Sequence, residues 1–352
     1  MLQPLSIPDA YFWSQWQAEH SLLANSYFFS TDGGNAVVDP LPFDESARAQ
    51  IEKLGGISTI LVTTPDHERE AQAFSQRYGA TIIMRPGHEE EVFPGAIAIR
   101  LQDQKSEHEF AVSIPAHHTV VVGDSILGTP AGGLSMLSDR KYADVRKATL
   151  GLRRILRENP HTLLVGHGQS IFGGAYDAVY RLLYARAGAE VHRINVDELE
   201  FHDERDEHDA QPAQFQCLDA EVGFTIGARK LGYRVSTLQP GHRFCPLHNH
   251  AREEELFFVL DGEPSVRTLS GNLRCRKGDF VALPVGESGT HQLLNESEAP
   301  ATVLLLARTE EVEACYYPDS DKLLVDAEVA LITGRRSMMV RGSPNLDYFD
   351  GE

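Results

Sequence analysis

Positive charge is the scarce quantity in this chain: 32 lysines and arginines stand against 51 aspartates and glutamates, a formal net charge of −19 at pH 7 over 352 residues. A surface of that sign repels phosphate backbones and anionic lipid, which sets nucleic acid and membrane aside as partners. Long apolar runs are missing too. None approaches the roughly 20 residues that a helix needs to cross a bilayer. The start, MLQPLSIPDAYFW, lacks the basic-then-apolar order of a secretory leader, so a cytoplasmic location is expected. Cysteine is sparse: Cys217, Cys245, Cys275 and Cys315 form no Cys-x-x-Cys pair. That excludes a zinc ribbon and a thioredoxin-like dithiol, and leaves buried free thiols as the expectation. Neither an internal repeat nor a low-complexity tract is present.

What remains is ordinary globular material, 42% hydrophobic and 24% charged, in a chain too long for one core, so two domains are expected. The first half alternates short β-branched runs (NAVVDP, STILVTTP, TIIMRP, TVVVGD, TLLVGHG) with helix-like stretches such as EREAQAFSQRYGA and YADVRKATLGLRRILREN, and closes on AYDAVYRLLYARAG. This order predicts an α/β domain over 1–190. Residues 191–216 are charge-rich, have no sustained apolar period and hold a proline, which reads as a linker or arm. From 217 to 352 the pattern changes to short alternating strands punctuated by Gly, Pro and Asn, with no long helical period between 222 and 308, and predicts an all-β barrel or jelly roll.

The second half carries the stronger chemical signal. In PLHNHAREEELFFVLDG, His248 and His250 are two apart, so on a strand both side chains face one way. Three glutamates, Glu253, Glu254 and Glu255, follow them, and His291 opens a later apolar strand in HQLLNES. Three imidazoles and a carboxylate suit Fe(II), Mn(II), Zn(II), Ni(II) or Cu(II), with one or two positions left for water or substrate. The run from Gly241 through His248, His250 and Glu255 to Gly262, followed by Gly278, Pro284, Gly286, His291 and Asn295, resembles the two motifs of the cupin superfamily over about residues 222–310. The resemblance implies a small jelly-roll barrel in which those ligands converge. It also implies Glu255 as the carboxylate, because only that glutamate lies at the family spacing from Gly262, with Glu254 in reserve. One extra residue before His248 and two between Gly286 and His291 depart from the pattern, both in expected loops. The arrangement looks like a bacterial cupin group of unassigned function, and cupins commonly pair through their sheets, which implies a homodimer. Arg243, Arg267, Arg274 and Arg276 are read as solvated surface charges.

In the first half, Asp39, Asp66, His67, Asp124 and His167 fall at or just beyond the ends of apolar runs, where α/β folds build sites. Their order resembles the metallo-β-lactamase fold over about residues 20–185, which implies an αββα sandwich. The family motif H-x-H-x-D-H reads here Val62-Thr63-Thr64-Pro65-Asp66-His67, and Lys105 stands near the place of a further histidine. The resemblance therefore implies that one of two metal positions has lost its three histidines. The other keeps Asp66, His67, Asp124 and His167, a candidate for Zn or Fe, with Lys105 supplying charge where the lost metal would lie. His108, His117 and His118, and the linker residues His202 and His208, are read as solvated.

Three functional readings follow. In the first, the cupin barrel holds a divalent metal and acts on a small organic molecule, by isomerase- or dioxygenase-type chemistry. In the second, the N-terminal half is a single-metal hydrolase of an ester, thioester or lactone, with the cupin as a ligand-binding module. In the third, the protein binds ligands without catalysis. No catalytic residue is assigned.

Overall fold

The computed structural model describes all residues except 20, 204–211, 311, 331–333 and 342–352, with only the backbone described at 328–330 and 334–336. The described chain divides into two compact units, Met1–Arg193 with Thr225–Gly227, and Ile194–Phe224 with Ala228–Glu352.

The first unit is a layered α/β sandwich. One sheet runs in the order Gln3–Pro4, Ala10–Gln17, Leu22–Phe29, Ala36–Val38, Thr59–Leu61, Thr81–Ile83, antiparallel up to Ala36–Val38 and parallel beyond it. The second runs Ile171–Phe172, Thr162–Val165, Thr119–Val122, Phe110–Ile114, Ala96–Arg100, Glu91–Phe93. Its one parallel pair, Thr119–Val122 beside Thr162–Val165, brings the ends that carry Asp124 and His167 side by side. Tyr27, Phe29, Val38 and Leu61 from one sheet pack against Phe110, Val112, Val121 and Leu164 from the other. On the outer face of the first sheet, Phe28, Val37 and Ile60 meet Ala47 and Ile51 of helix Glu45–Lys53 and Phe74 of helix Ala71–Tyr78. Local chemistry sets the helix ends: Asp44 accepts from Ala47 N at 2.7 Å at one start, and Gly79 takes the left-handed conformation at the other stop. The single helix expected from YADVRKATLGLRRILREN is two, Val145–Gly151 and Arg153–Arg157, broken at Leu152.

The second unit is β-rich. Its largest sheet has the order His202–Asp203, Leu218–Glu221, Leu231–Leu238, Ala301–Arg308, Glu255–Asp261, Phe280–Leu283. A four-stranded sheet joins Asn249–His250, Val312–Tyr317, Lys322–Ala330 and Gly334–Arg341, and a three-stranded one joins Gly271–Arg274, Ser265–Thr268 and His291–Leu294. Leu238, Phe257, Val259, Val266, Leu293 and Val303 form its core. His202–Asp203, inside the segment read as a linker, is a short strand paired with Leu218 and Asp219. Two paired residues leave no period for sequence reading to detect. Residues 204–211 of that segment, His208 among them, lie outside the described residues. No helix among the described residues is long and apolar enough to cross a membrane.

Candidate metal centres

In the β-rich unit, His248 and His250 lie where a loop enters strand Asn249–His250, Glu255 begins strand Glu255–Asp261, and His291 begins strand His291–Leu294. Paired backbone bonds between residues 248 and 291, at 3.1 and 2.9 Å, hold the first and last of these ligand-bearing segments together. One side-chain atom from each of the four residues lies within 4.8 Å of every other. His248 Nε2 is 3.0 Å from His250 Nε2; Glu255 Oε2 is 2.8 Å from His291 Nε2 and 3.4 Å from His250 Nε2. Glu255 is the glutamate that reaches the group. Glu253 turns its carboxylate to the Glu310 backbone N–H, at 3.0 Å.

The outer nitrogens fix the tautomers. His248 Nδ1 lies 2.9 Å from the Pro246 carbonyl and His291 Nδ1 lies 2.8 Å from the Gly289 carbonyl. A carbonyl only accepts, so both protons sit on Nδ1 and both Nε2 atoms present lone pairs inward. Glu255 Oε2, also an acceptor, is buried with no donor aimed at it despite its short approach to His291. Two imidazole lone pairs and a carboxylate oxygen thus face one another, which is unfavourable unless a cation lies among them. Among the described residues no lysine or arginine pairs with any of the four. This donor set fits a divalent metal.

Titration behaviour follows from the same geometry. Burial, then the neighbouring His291 and His250, pushes the His248 pKa down to about 4. Burial alone would also lower that of His250, but Cys315 and Glu255 outweigh it and push it up to about 10. Burial would raise Glu255, yet His250 and His291 hold its carboxyl far below the usual range. Without a metal, the charge this cluster gathers is a proton on His250.

Sequence reading missed the strand that supports this group. On Val312–Tyr317, Glu313 is 5% exposed and its carboxylate accepts the backbone N–H groups of Ala251, Arg252 and Glu253 at 2.8, 3.1 and 2.9 Å. It thereby ties down the turn between His250 and Glu255. Cys315 Sγ lies 3.3 Å from His250 Nδ1, and the Tyr317 ring stacks on His248 at 5.7 Å. No motif announces Glu313; only the pairing of Cys315 with His250 across two strands brings it there. Glu313→Ala is expected to weaken metal binding by about 10- to 100-fold, the usual effect of losing a group that orients ligands. Chelator competition measures this, and an unchanged affinity would remove the role.

In the α/β unit, Asp39 ends the strand Ala36–Val38, and its carboxylate accepts from Thr63 N at 2.8 Å and Thr63 Oγ1 at 2.6 Å. His67, on the turn Pro65–His67, donates from Nδ1 to Asp39 Oδ2 at 2.7 Å. Its Nε2 lies 3.0 Å from His167 Nε2 and 3.2 Å from Asp124 Oδ1. His67, Asp124 and His167 therefore come together. Asp66 does not join them: it points outward on the same turn and pairs with Lys105, which also reaches Asp124 Oδ2 at 3.0 Å. Glycine is required beside these residues. A Cβ at Gly166 would lie 2.8 Å from the His67 ring, and one at Gly123 would lie 2.3 Å from Thr63 Oγ1. Asp39 and Arg69 are the members sequence reading did not assign a role. Burial, outweighed by the charge of Asp39 and the bond to Asp124, leaves the His67 pKa raised to about 9; burial and the charge of His67 lower that of His167 to about 4. His117 and His118 are exposed, as expected, and Arg267 is bound by Asp319 at 2.6 and 2.9 Å.

Comparison with known proteins fits both halves. A family model described as the metallo-beta-lactamase superfamily matches residues 2–185. The chain belongs to the metallo-beta-lactamase superfamily. A cupin-domain model matches residues 234–307, so the metallo-β-lactamase domain is followed by a cupin domain. Among solved structures, the cupin domain is similar to a cupin-superfamily sugar phosphate isomerase from Silicibacter pomeroyi, at 23% identity and a TM-score of 0.37, covering 44% of this chain and 96% of that one. The polyketide cyclase RemF of Streptomyces resistomycificus matches at 17% identity and a TM-score of 0.29, over 34% of this chain and 79% of its own. A metallo-β-lactamase family protein from Thermus thermophilus matches at 14% identity and a TM-score of 0.40, over 52% and 80%. No curated protein matches the chain. It is a two-domain protein whose described residues include His/Glu groups able to hold a metal.

Proposed function

We propose that the cupin domain holds a divalent cation through His248, His250, Glu255 and His291, and that the protein acts on a small organic molecule at that centre by isomerisation or oxygenation. The inward lone pairs of His248 and His291 facing the undonated Glu255 oxygen carry this reading. A cation with open positions polarises a carbonyl or binds dioxygen, and it would supply that chemistry here. The chain's own residues do the rest. The Pro246 and Gly289 carbonyls orient two of the rings, Glu313 fixes the turn that carries His250 toward Glu255, and the buried Phe257 ring packs edge-on to His291 at 5.3 Å.

Elemental analysis of the purified protein is expected to give about one transition-metal ion per chain. After loading with Mn(II), water-proton relaxation is expected to exceed that of free Mn(II) and to fall when oxalate is added as a chelating probe, the behaviour of an ion with open positions. A protein that carries no stoichiometric metal and gains none on incubation would end this reading.

A further inference from the structure

The two ligand clusters differ in one respect. Among the described residues no lysine or arginine faces the converging lone pairs of the cupin domain, whereas in the metallo-β-lactamase domain two such side chains already do. Arg69 Nη2 donates to His167 Nε2 at 3.3 Å, the lone pair a metal would need, and Arg69 Nη1 is anchored on the carbonyls of Asn25 and Asp39 at 3.1 and 3.0 Å. Lys105 Nζ bridges Asp124 and Asp66. The outer nitrogen of His167, Nδ1, is buried with no partner, whereas a metal-bound histidine almost always donates its other N–H to an oriented acceptor. Arg69 also holds a left-handed backbone, φ +39°, which is unfavourable for any residue with a Cβ and persists where surrounding bonds over-determine it. That backbone carries its guanidinium to His167. The residues present do not fit a resident metal.

We propose that the metallo-β-lactamase domain is metal-independent, with Lys105 at Asp124 and Arg69 at His167 serving as built-in replacements for metal ions. Arg69 donates into the coordination position of His167, and Lys105 neutralises the carboxylate that would bridge two ions. The domain then keeps the superfamily fold without its metal chemistry, which weighs against a single-metal hydrolase in this half.

The test uses the full chain, incubated with zinc, freed of excess by gel filtration, and assayed for zinc per chain. His67→Ala and His167→Gln are expected to retain the wild-type zinc content. The double variant Arg69→Ala/Lys105→Ala is expected to gain about one equivalent, because it frees the His167 lone pair and the Asp124 carboxylate. Loss of about one equivalent in His167→Gln, with a wild-type melting profile, would overturn the proposal. So would a double variant that melts like wild type and gains nothing. Arg69→Gln/Lys105→Met provides a milder pair, read the same way, if the alanine pair unfolds. A parallel His291→Ala sample reports on the cupin centre alone, so failure of that reading shows there and leaves the other comparisons intact.

Discussion

Replacing His291 with alanine is expected to strip the cupin domain of its metal, from about one ion per chain to background, with affinity down by more than about 100-fold. Groups that merely orient ligands cost about 10- to 100-fold when removed, and His291 offers the donor itself. Its Nε2 lies 2.8 Å from Glu255 Oε2, its Nδ1 is fixed by Gly289, and its ring is 2% exposed, so no water replaces the nitrogen without rearrangement. His117→Ala, at an exposed position of the other domain, is expected to leave metal content unchanged. Elemental analysis after gel filtration decides the matter; full metal retention in His291→Ala would sink the four-ligand assignment.

Phe257→Ala is expected to destabilise the cupin domain by about 3–5 kcal/mol, the usual range for truncating a buried aromatic residue. Phe257 is 2% exposed and belongs to the core cluster of Leu238, Val266, Leu293 and Val303. Its strand is paired on both sides, by Phe280–Leu283 and Ala301–Arg308, which limits collapse into the space left behind. For a unit of this size that loss lowers the melting transition by roughly 10 °C. Calorimetry of the apo protein is the check, since bound metal would add its own stabilisation. Phe257→Leu should lose less than half as much. A shift below about 1 kcal/mol for the alanine variant would show that this core does not support the site.

The sequence made some of this legible because the signal was local. His248 and His250 lie two apart on an extended segment, and TVVVGD and TLLVGHG announce strand ends whose glycines allow Asp124 and His167 to approach. Those features survive in one dimension. Glu313 and Cys315 do not, because they act on residues about 60 positions earlier through strand pairing, and the segment around them has no motif. Arg69 was hidden for a different reason: its role depends on a left-handed backbone and on donors set by long-range geometry. The resemblance implied Asp66 as a ligand beside His67, whereas in space its carboxylate faces Lys105, a pairing that neighbourhood in sequence does not reveal. The strand His202–Asp203 was too short and too polar to register.

Strand Ala301–Arg308 lies between Leu231–Leu238 and Glu255–Asp261, bonded to both, and His250 pairs with Cys315 of strand Val312–Tyr317. As the polypeptide lengthens from its amino end, His248, His250, Glu255 and His291 have all been made before strands Ala301–Arg308 and Val312–Tyr317 exist. The support that Glu313 and Cys315 give to His250 and its turn therefore comes late, while the preceding domain can already have settled into its own contacts. An ion at the proposed centre would then be held in full only once that later strand has joined the turn beneath His250.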